Sequence, residues 1–177
     1  DADAWIGFGG LRDAAEMVRS AKRLGFAPRF FFLRSAAEPG FIGLVGQDAE
    51  YTLGATGYEP FLPTPGNAHF VRAYQAKWSA LPGSAAAHGF AAGVVLAEAV
   101  HQAGSLDQEK LREALAALET GTVLGGYKVD PESGAQLAAR PAVVQIQWGN
   151  RAVLWPEWLQ SATREPYPRW EDRRLLE

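Results

Sequence analysis

The 177-residue sequence contains no cysteine and carries little net charge. Without cysteine the chain can form no disulfide, zinc–thiolate site or thiol nucleophile. Because cysteine-free proteins occur in every redox compartment, this absence does not indicate a location. The 17 basic residues nearly balance the 20 acidic ones, so no positive field is available to attract a phosphate backbone. We therefore expect no nucleic-acid partner.

Long hydrophobic runs are also missing. The longest, residues 90–97, is interrupted by Gly93 and followed by Glu98, and it is far shorter than the roughly 20 residues of a membrane-spanning helix. The chain begins at Asp1 without an initiator Met or a signal-like segment, which we interpret as an excised piece of a longer protein. We interpret Leu176 and Glu177 as a cloning remnant.

Motifs for catalysis and metal binding are absent too. The three histidines, His69, His88 and His101, lie too far apart for a His-x-x-x-His site. No Gly-x-Ser-x-Gly nucleophile motif is present. We therefore predict no catalytic residue, no metal and no cofactor, and we expect a protein that is not an enzyme.

Residues 1–56 follow the pattern of a βαβαβ unit. We predict strands at 4–8, 29–33 and 51–55, with helices at 11–24 and 39–45 between them. The second strand contains three consecutive phenylalanines, and such a continuous apolar run is typical of a parallel strand covered on both faces. The sequence therefore predicts an α/β fold with a parallel sheet.

Beyond this unit the pattern changes twice. Residues 57–67 contain Pro60, Pro63 and Pro65 and predict a crossing segment. We predict helices at 68–79, 85–103 and 106–118, the last beginning with the capping signature Ser105-x-x-Gln108. Strands are expected at 127–129, 142–148 and 152–155, with a hairpin turn at residues 149–150. The tail from residue 157 is expected to be an extended strap or disordered, and we assign Trp148, Trp155 and Trp158 to packing.

The glycine cluster after the first strand raises the question of a nucleotide site. The frame Gly7-Phe8-Gly9-Gly10-Leu11-Arg12 has arginine where the dinucleotide fingerprint needs its third glycine. The second strand ends without the acidic residue of that fingerprint, and no Walker lysine follows the glycines. The turn nevertheless lies where open α/β sheets bind ligands. Two interpretations remain open here, a ligand-binding turn and a simple tight turn.

Arg34 follows the second strand, so its side chain is expected at the same edge of the sheet. The planar guanidinium group suits a ligand carboxylate. The alternative is a surface arginine that pairs with Glu38, and the sequence does not choose between the two.

The order of the segments resembles a known family. The resemblance is carried by "ADAWIGFGGLRDAAEMVRSAKRLGF", "GQDAEYTLGAT", "HFVRAYQAKW", "AAAHGFAAGVVLAEAVHQAGSLDQEKLREAL", "GGYKVDPESG" and "VVQIQWGNRAVLWP". These segments resemble the type I periplasmic binding proteins, and within them the leucine/isoleucine/valine-binding subfamily that serves ABC importers. The resemblance covers residues 2–156 and rests on many weak positions in a fixed order.

The resemblance implies a two-lobed, Venus-flytrap α/β protein of which this chain is the C-terminal portion. Residues 1–56 would belong to lobe two, 57–67 to the hinge crossing and 68–121 to helices of lobe one. Residues 122–156 would form a hinge strand and the lobe-two hairpin. Residues 157–177 lie outside the resemblance and are assigned to the tail strap with a tag remnant. Because half of lobe one is missing, apolar helix surface should be uncovered, and we expect this chain to self-associate.

The resemblance also implies a function and a set of site residues. Such proteins bind an amino acid or related small carboxylate between their lobes, outside the cytoplasmic membrane, and dock on an ABC permease. Arg34 lies where branched-chain binders carry an acid, which favours a second carboxylate or an aromatic acid as ligand. The alternatives are a ligand-sensing domain of a receptor or regulator with the same fold and, as a last option, a nucleotide-dependent enzyme. The predicted ligand-binding residues are Phe8, Gly9, Gly10, Arg34, Ser35 and Tyr58.

Overall fold

A computed structural model of the chain describes residues 2–173, which divide into two units. The first unit comprises Asp1–Thr56 and Pro141–Glu177, and the second comprises Gly57–Arg140. The strands of the described residues are β1 (Ala4–Gly7), β2 (Phe30–Leu33), β3 (Leu53–Thr56), β4 (Thr120–Thr122), β5 (Gly125–Tyr127), β6 (Ala142–Gln147) and β7 (Asn150–Trp155). The α-helices are α1 (Leu11–Arg23), α2 (Phe41–Val45), α3 (Asn67–Trp78), α4 (Ser84–Ala103) and α5 (Gln108–Ala117).

The first unit is built on a five-stranded sheet in the order β1-β2-β3-β6-β7. β1 and β2 pair in parallel from Ala4 opposite Phe30 to Gly7 opposite Leu33, and β2 pairs in parallel with β3. β6 is antiparallel to β3, and β7 is antiparallel to β6. The predicted parallel βαβαβ unit is therefore confirmed, and the predicted hairpin extends its sheet. The carboxyl ends of β1, β2 and β3 meet at one edge.

Helix α1 covers this sheet with the apolar side that its periodicity predicts. Its buried residues, Ala14, Ala15, Val18 and Ala21, recur at helical spacing. Three of them, Ala14, Val18 and Ala21, join a core around Phe31. The helix ends at the predicted place, because Gly25 adopts a φ of 62° and the next amide donates to Ala21 O.

The strap, which we define as residues 157–173, folds onto the first unit. Tyr167 is buried in the same core as Phe31, and Trp170 Nε1 donates to Phe26 O over 2.9 Å. Residues 157–173 therefore pack against the first unit through Tyr167 and Trp170. The predicted cloning remnant at Leu176 and Glu177 lies outside the described residues.

The assignment of three hairpin and tail tryptophans to packing is wrong. Trp148, Trp155 and Trp158 are 59%, 49% and 63% exposed. Trp148 sits at the turn after β6, Trp155 ends the edge strand β7, and Trp158 lies in a short 3-10 helix. Within residues 2–173, no further layer of the first unit covers these three positions.

The second unit contains α3, α4, α5 and the β4–β5 hairpin. Its core includes Tyr58, Phe70, Ala87, Ala91 and Val123. The strand predicted at 127–129 lies instead at Gly125–Tyr127, where it pairs with β4, a strand that was not predicted. Residues 122–140 therefore belong to the same unit as the helices. They were expected to group with the β6–β7 hairpin of the first unit. The assignment of either unit to a lobe stays a prediction.

Helix α5 begins at a different cap from the predicted one. Asp107, not Ser105, is the N-cap residue, and its carboxylate accepts from the amides of Glu109 and Lys110. The Ser105 hydroxyl accepts from the Asp107 amide over 3.1 Å. Within residues 2–173 none of the helices combines the length and the apolar character that a bilayer crossing requires.

Candidate functional site

Two loops that carry predicted site residues meet at the carboxyl edge of the parallel strands. The first loop, Phe8, Gly9 and Gly10, follows β1, and the second, Arg34 and Ser35, follows β2. The Ser35 hydroxyl lies 2.7 Å from Gly9 O and 3.0 Å from a carboxylate oxygen of Glu38. With one proton it donates to one of these acceptors at a time. Ser35 itself is buried, so it fixes the distance between the two loops.

The glycine turn is closed by a carboxylate of its own helix. Gly10 is the N-cap of α1, and its amide donates to Asp13 Oδ2 over 2.9 Å. A Cβ at Gly9 would lie 2.8 Å from the Asp13 Cβ, so this approach needs a glycine. The negative charge of Asp13 stands where a nucleotide phosphate would need donors, which disfavours phosphate binding. An acid three residues after a helix cap is a capping signal, so the sequence carries a local indication of this closure in Gly10-x-x-Asp13.

Phe8 presents its ring at the tip of the first loop. The residue is 74% exposed, although a phenylalanine side chain is stabilised by burial. An exposed aromatic ring beside a polar loop is suited to contact a small ligand. The structure is compatible with the predicted aromatic contact, and that contact stays a prediction.

Arg34 forms the local ion pair that one interpretation predicts. Its Nη1 donates to Glu38 Oε1 over 3.0 Å, and the Arg34 side chain is 58% exposed. Exposed ion pairs of this kind contribute little free energy, so the guanidinium can exchange this partner for another carboxylate. The pairing with Glu38 therefore does not decide whether Arg34 also binds a ligand, which stays a prediction.

Tyr58 belongs to the second unit and has a different environment from the other predicted residues. It is 3% exposed, and its hydroxyl donates to Asn67 Oδ1 over 2.9 Å. The Asn67 amide in turn donates to Pro60 O and Leu62 O. Burial raises the pKa of Tyr58 to about 12, with a smaller contribution from the charge of Glu59. The neutral phenol holds the start of the second unit together, and a ligand contact of Tyr58 stays a prediction.

No metal centre accompanies these residues in the part of the chain from 2 to 173. No group of three or more histidine, aspartate or glutamate residues there could hold a metal ion. The functional groups at the two loops are one guanidinium group, two carboxylates, a hydroxyl and an exposed aromatic ring. These groups can bind and orient a small polar molecule.

Comparisons with known proteins show the family and the fold of this chain. The sequence profile of a family described as periplasmic binding protein matches residues 1–151. A leucine binding protein from Thermotoga maritima MSB8 has a TM-score of 0.75 and 28% identity, covering 86% of this chain and 44% of that one. A protein from Rhodospirillum rubrum, described as a candidate branched-chain amino acid ABC transporter, has a TM-score of 0.68 and 30% identity over 83% of this chain and 43% of that one.

A third structure, an ABC transporter substrate-binding protein from Sphaerobacter thermophilus, supports the fold. It has a TM-score of 0.74 and 24% identity over 88% of this chain and 44% of that one. The chain thus spans less than half the length of these solved structures. Because the family profile covers most of the chain and the solved structures share its fold, the chain belongs to the periplasmic binding protein family and forms part of its type I α/β fold, as the resemblance predicts.

Proposed function

We propose that the protein to which this chain belongs is the extracytoplasmic solute-binding component of an ABC importer. It binds an amino acid or a related small carboxylate without altering it chemically, and it delivers this solute to a membrane permease. Support comes from the family membership and from two matched structures, one described as a leucine binding protein and one as a candidate branched-chain amino acid ABC transporter.

The observation that carries the proposal is the direct junction between the first and second loops. The 2.7 Å contact of the Ser35 hydroxyl with Gly9 O joins them at the edge where open α/β sheets bind ligands. Because Ser35 is buried, the junction is present before a ligand arrives. Such preorganisation lowers the entropic cost of binding.

Arg34 determines the class of solute in this proposal. A guanidinium group has five N–H donors, and among residues 2–173 Glu38 is the carboxylate with which Arg34 pairs. A solute carboxylate can use the donors that face away from Glu38, while Phe8 contacts the apolar part of the solute. For an amino acid, Glu38 supplies the acceptor that the ammonium group needs.

The test is a binding screen on the full-length protein with amino acids, dicarboxylates and aromatic acids, followed by calorimetry on the best ligand. Arg34→Ala is expected to raise the Kd of a carboxylate ligand by roughly ten- to a hundredfold, since hydrogen bonds between charged groups contribute about 1.5–3 kcal/mol. Glu38→Gln is expected to raise the Kd of amino acids and to leave the Kd of dicarboxylates and aromatic acids nearly unchanged.

Arg112→Ala is the matched control, because Arg112 forms a comparable exposed pair with Glu109 over 3.1 Å, on α5. This variant should bind every ligand as the parent protein does. An unchanged Kd in Arg34→Ala would remove Arg34 from the binding site. Stabilisation by nucleotides instead of carboxylates would overturn the proposed solute class, and a fused signalling domain in the parent gene would favour the sensor alternative.

A further inference from the structure

A pocket of about 250 Å³ opens on the first unit at the end of the sheet opposite the two candidate-site loops. Its position follows from the topology. Tyr51 precedes β3 and Trp148 follows β6, and because these strands are antiparallel the two residues lie at the same end of the sheet. The walls combine two aromatic rings, two prolines and two carboxylates, contributed by Tyr51, Trp148, Pro166, Pro168, Glu165 and Asp172. None of these six residues belongs to the predicted ligand-binding set, and Trp148 was expected to serve packing.

The aromatic walls are held by partly buried hydrogen bonds to the backbone. Tyr51 and Trp148 both adopt left-handed backbone conformations, with φ of 68° and 54°, which are unfavourable for bulky residues. The buried carboxylate of Glu50 accepts from the amides of Trp148 and Gly149 over 2.9 and 2.6 Å. Trp148 still leaves 59% of its surface exposed. The fold thus holds in place an indole ring that stays largely exposed to solvent.

A buried glutamine fixes the acidic wall. Gln145 Nε2 donates to Glu165 O, and the Glu165 amide donates back to Gln145 Oε1, each over 2.8 Å. The same Nε2 donates to Tyr51 O over 2.9 Å. One side chain of β6 therefore sets the distance between an aromatic wall and a carboxylate wall, and the pocket exists before anything binds.

The charges of the pocket favour a cation. Among the described residues neither Glu165 nor Asp172 forms an ion pair. The guanidinium of Arg173 lies 5.9 Å from the Tyr51 ring, and its positive charge opposes a second cation nearby. Against this positive charge the pocket sets the two carboxylates of Glu165 and Asp172. Aromatic faces and carboxylates together form the usual environment for alkylammonium and guanidinium groups.

We propose that this pocket binds an organic cation, an alkylammonium or guanidinium group, between the rings of Tyr51 and Trp148 and beside the carboxylates of Glu165 and Asp172. This site is separate from the candidate solute site, because it lies at the other edge of the sheet. Binding is weak, in the millimolar range, since the pocket is open to water and exposed cation–π contacts are individually small.

The test is a two-dimensional 1H–15N NMR titration of the protein with tetramethylammonium chloride or methylguanidinium chloride, against sodium chloride at the same concentration. Tetramethylammonium has no carboxylate and so is not a ligand of the kind proposed for Arg34. We expect saturable shifts at the Trp148 indole N–H and the Glu165 amide, and none at Phe8 or Arg34. Comparing the two salts shows whether the pocket prefers an ammonium or a guanidinium group.

Two variants and one control decide the outcome. Trp148→Gly removes the indole and relieves the positive φ, so it should fold, and it is expected to raise the Kd of tetramethylammonium at least fivefold. The double variant Glu165→Gln/Asp172→Asn keeps the shape of the pocket and should do the same. Trp158→Gly removes an equally exposed indole outside the pocket and should change nothing. Shifts that do not saturate, that sodium chloride reproduces, or whose Kd at the Glu165 amide is unchanged in Trp148→Gly would overturn the proposal.

Discussion

At the scale of single residues, buried polar and aromatic groups hold the strap against the first unit. The guanidinium of Arg173 lies 3.5 Å from the centre of the Trp170 ring and 4.4 Å from that of Tyr167. Its Nη1 donates to Asp48 O over 3.1 Å. These contacts join the last described residues to a loop more than a hundred positions earlier. A local sequence pattern carries no information on such a pairing.

Tyr167 makes the stability of the first unit sensitive to alkaline pH. Burial raises the pKa of Tyr167 to about 12, although the nearby Arg173 charge opposes the shift. In the unfolded chain the pKa of tyrosine is about 10. The contribution of the neutral Tyr167 phenol to the free energy of unfolding is therefore complete below pH 10 and is lost as the pH rises from 10 towards 12. The loss attributable to this residue is about 2 kcal/mol.

Tyr167→Phe is expected to abolish this part of the alkaline loss in urea unfolding measured at pH 8, 10, 11 and 12. Near pH 8 the variant should be close to the parent in stability, because the hydroxyl has no hydrogen-bond partner in the described part of the chain. Tyr74→Phe, in the second unit, serves as the control. An identical alkaline loss in Tyr167→Phe and the parent protein would contradict this assignment.

At the scale of elements, the segments with strong periodicity were predicted well. The apolar spacing and the glycine stop located α1, and the phenylalanine run located β2. β4 was missed because three residues are too few to show an alternation. The start of α5 was assigned to Ser105 because the capping signature allows several registers, and only the backbone shows that Asp107 is the cap.

Strand β6 organises its neighbours through an unusual buried glutamine pair. Gln147 Nε2 donates to Gln145 Oε1 and to Thr163 O, each over 2.8 Å. The Gln145 side chain also bonds both the backbone carbonyl and the backbone amide of Glu165. We expect Gln145→Ala to destabilise the first unit by about 2–4 kcal/mol, since several buried partners lose their bonds at once. The strap should detach before the sheet unfolds.

Trypsin cleavage after Arg164 and Arg169 checks this expectation, with hydrogen exchange of the Glu165 amide as a second measurement. Both cleavage and exchange should become faster in Gln145→Ala under native conditions. Gln160→Ala is the control, because the Gln160 side chain is exposed and makes a single bond, to Ala162 O. Equal protection of Glu165 in the Gln145 and Gln160 variants would show that the glutamine pair does not hold the strap.

At the scale of the whole molecule, the chain spans less than half the length of the solved structures that it matches. Helix α4 of the second unit buries one face, at Ala87, Ala91, Val95 and Ala99. Phe90 and Leu96, on other sides of the helix, are 41% and 50% exposed. An apolar surface of this kind favours association with a second copy of the chain.

We therefore expect the isolated 177-residue chain to self-associate, with sedimentation velocity showing species larger than the monomer. Phe90→Glu/Leu96→Glu should shift the distribution to the monomer, because two charges would have to lose water in the contact. Leu106→Glu is the control, since Leu106 is 78% exposed but lies between α4 and α5. A monomeric parent chain, or equal effects of the two variants, would contradict association through α4.

The sequence by itself determined the family, the α/β class, the parallel βαβαβ unit and the positions at which two loops follow the first two strands. The fold class and the βαβαβ unit depend on periodicity over a few residues. The family depends on the order of the segments along the chain. Only the tertiary structure decided that Trp148 is exposed, that Asp13 closes the glycine turn and that the strap is packed. Burial and hydrogen-bond partners arise when distant segments meet, as Gln145 meets Glu165. No local pattern contains that distance.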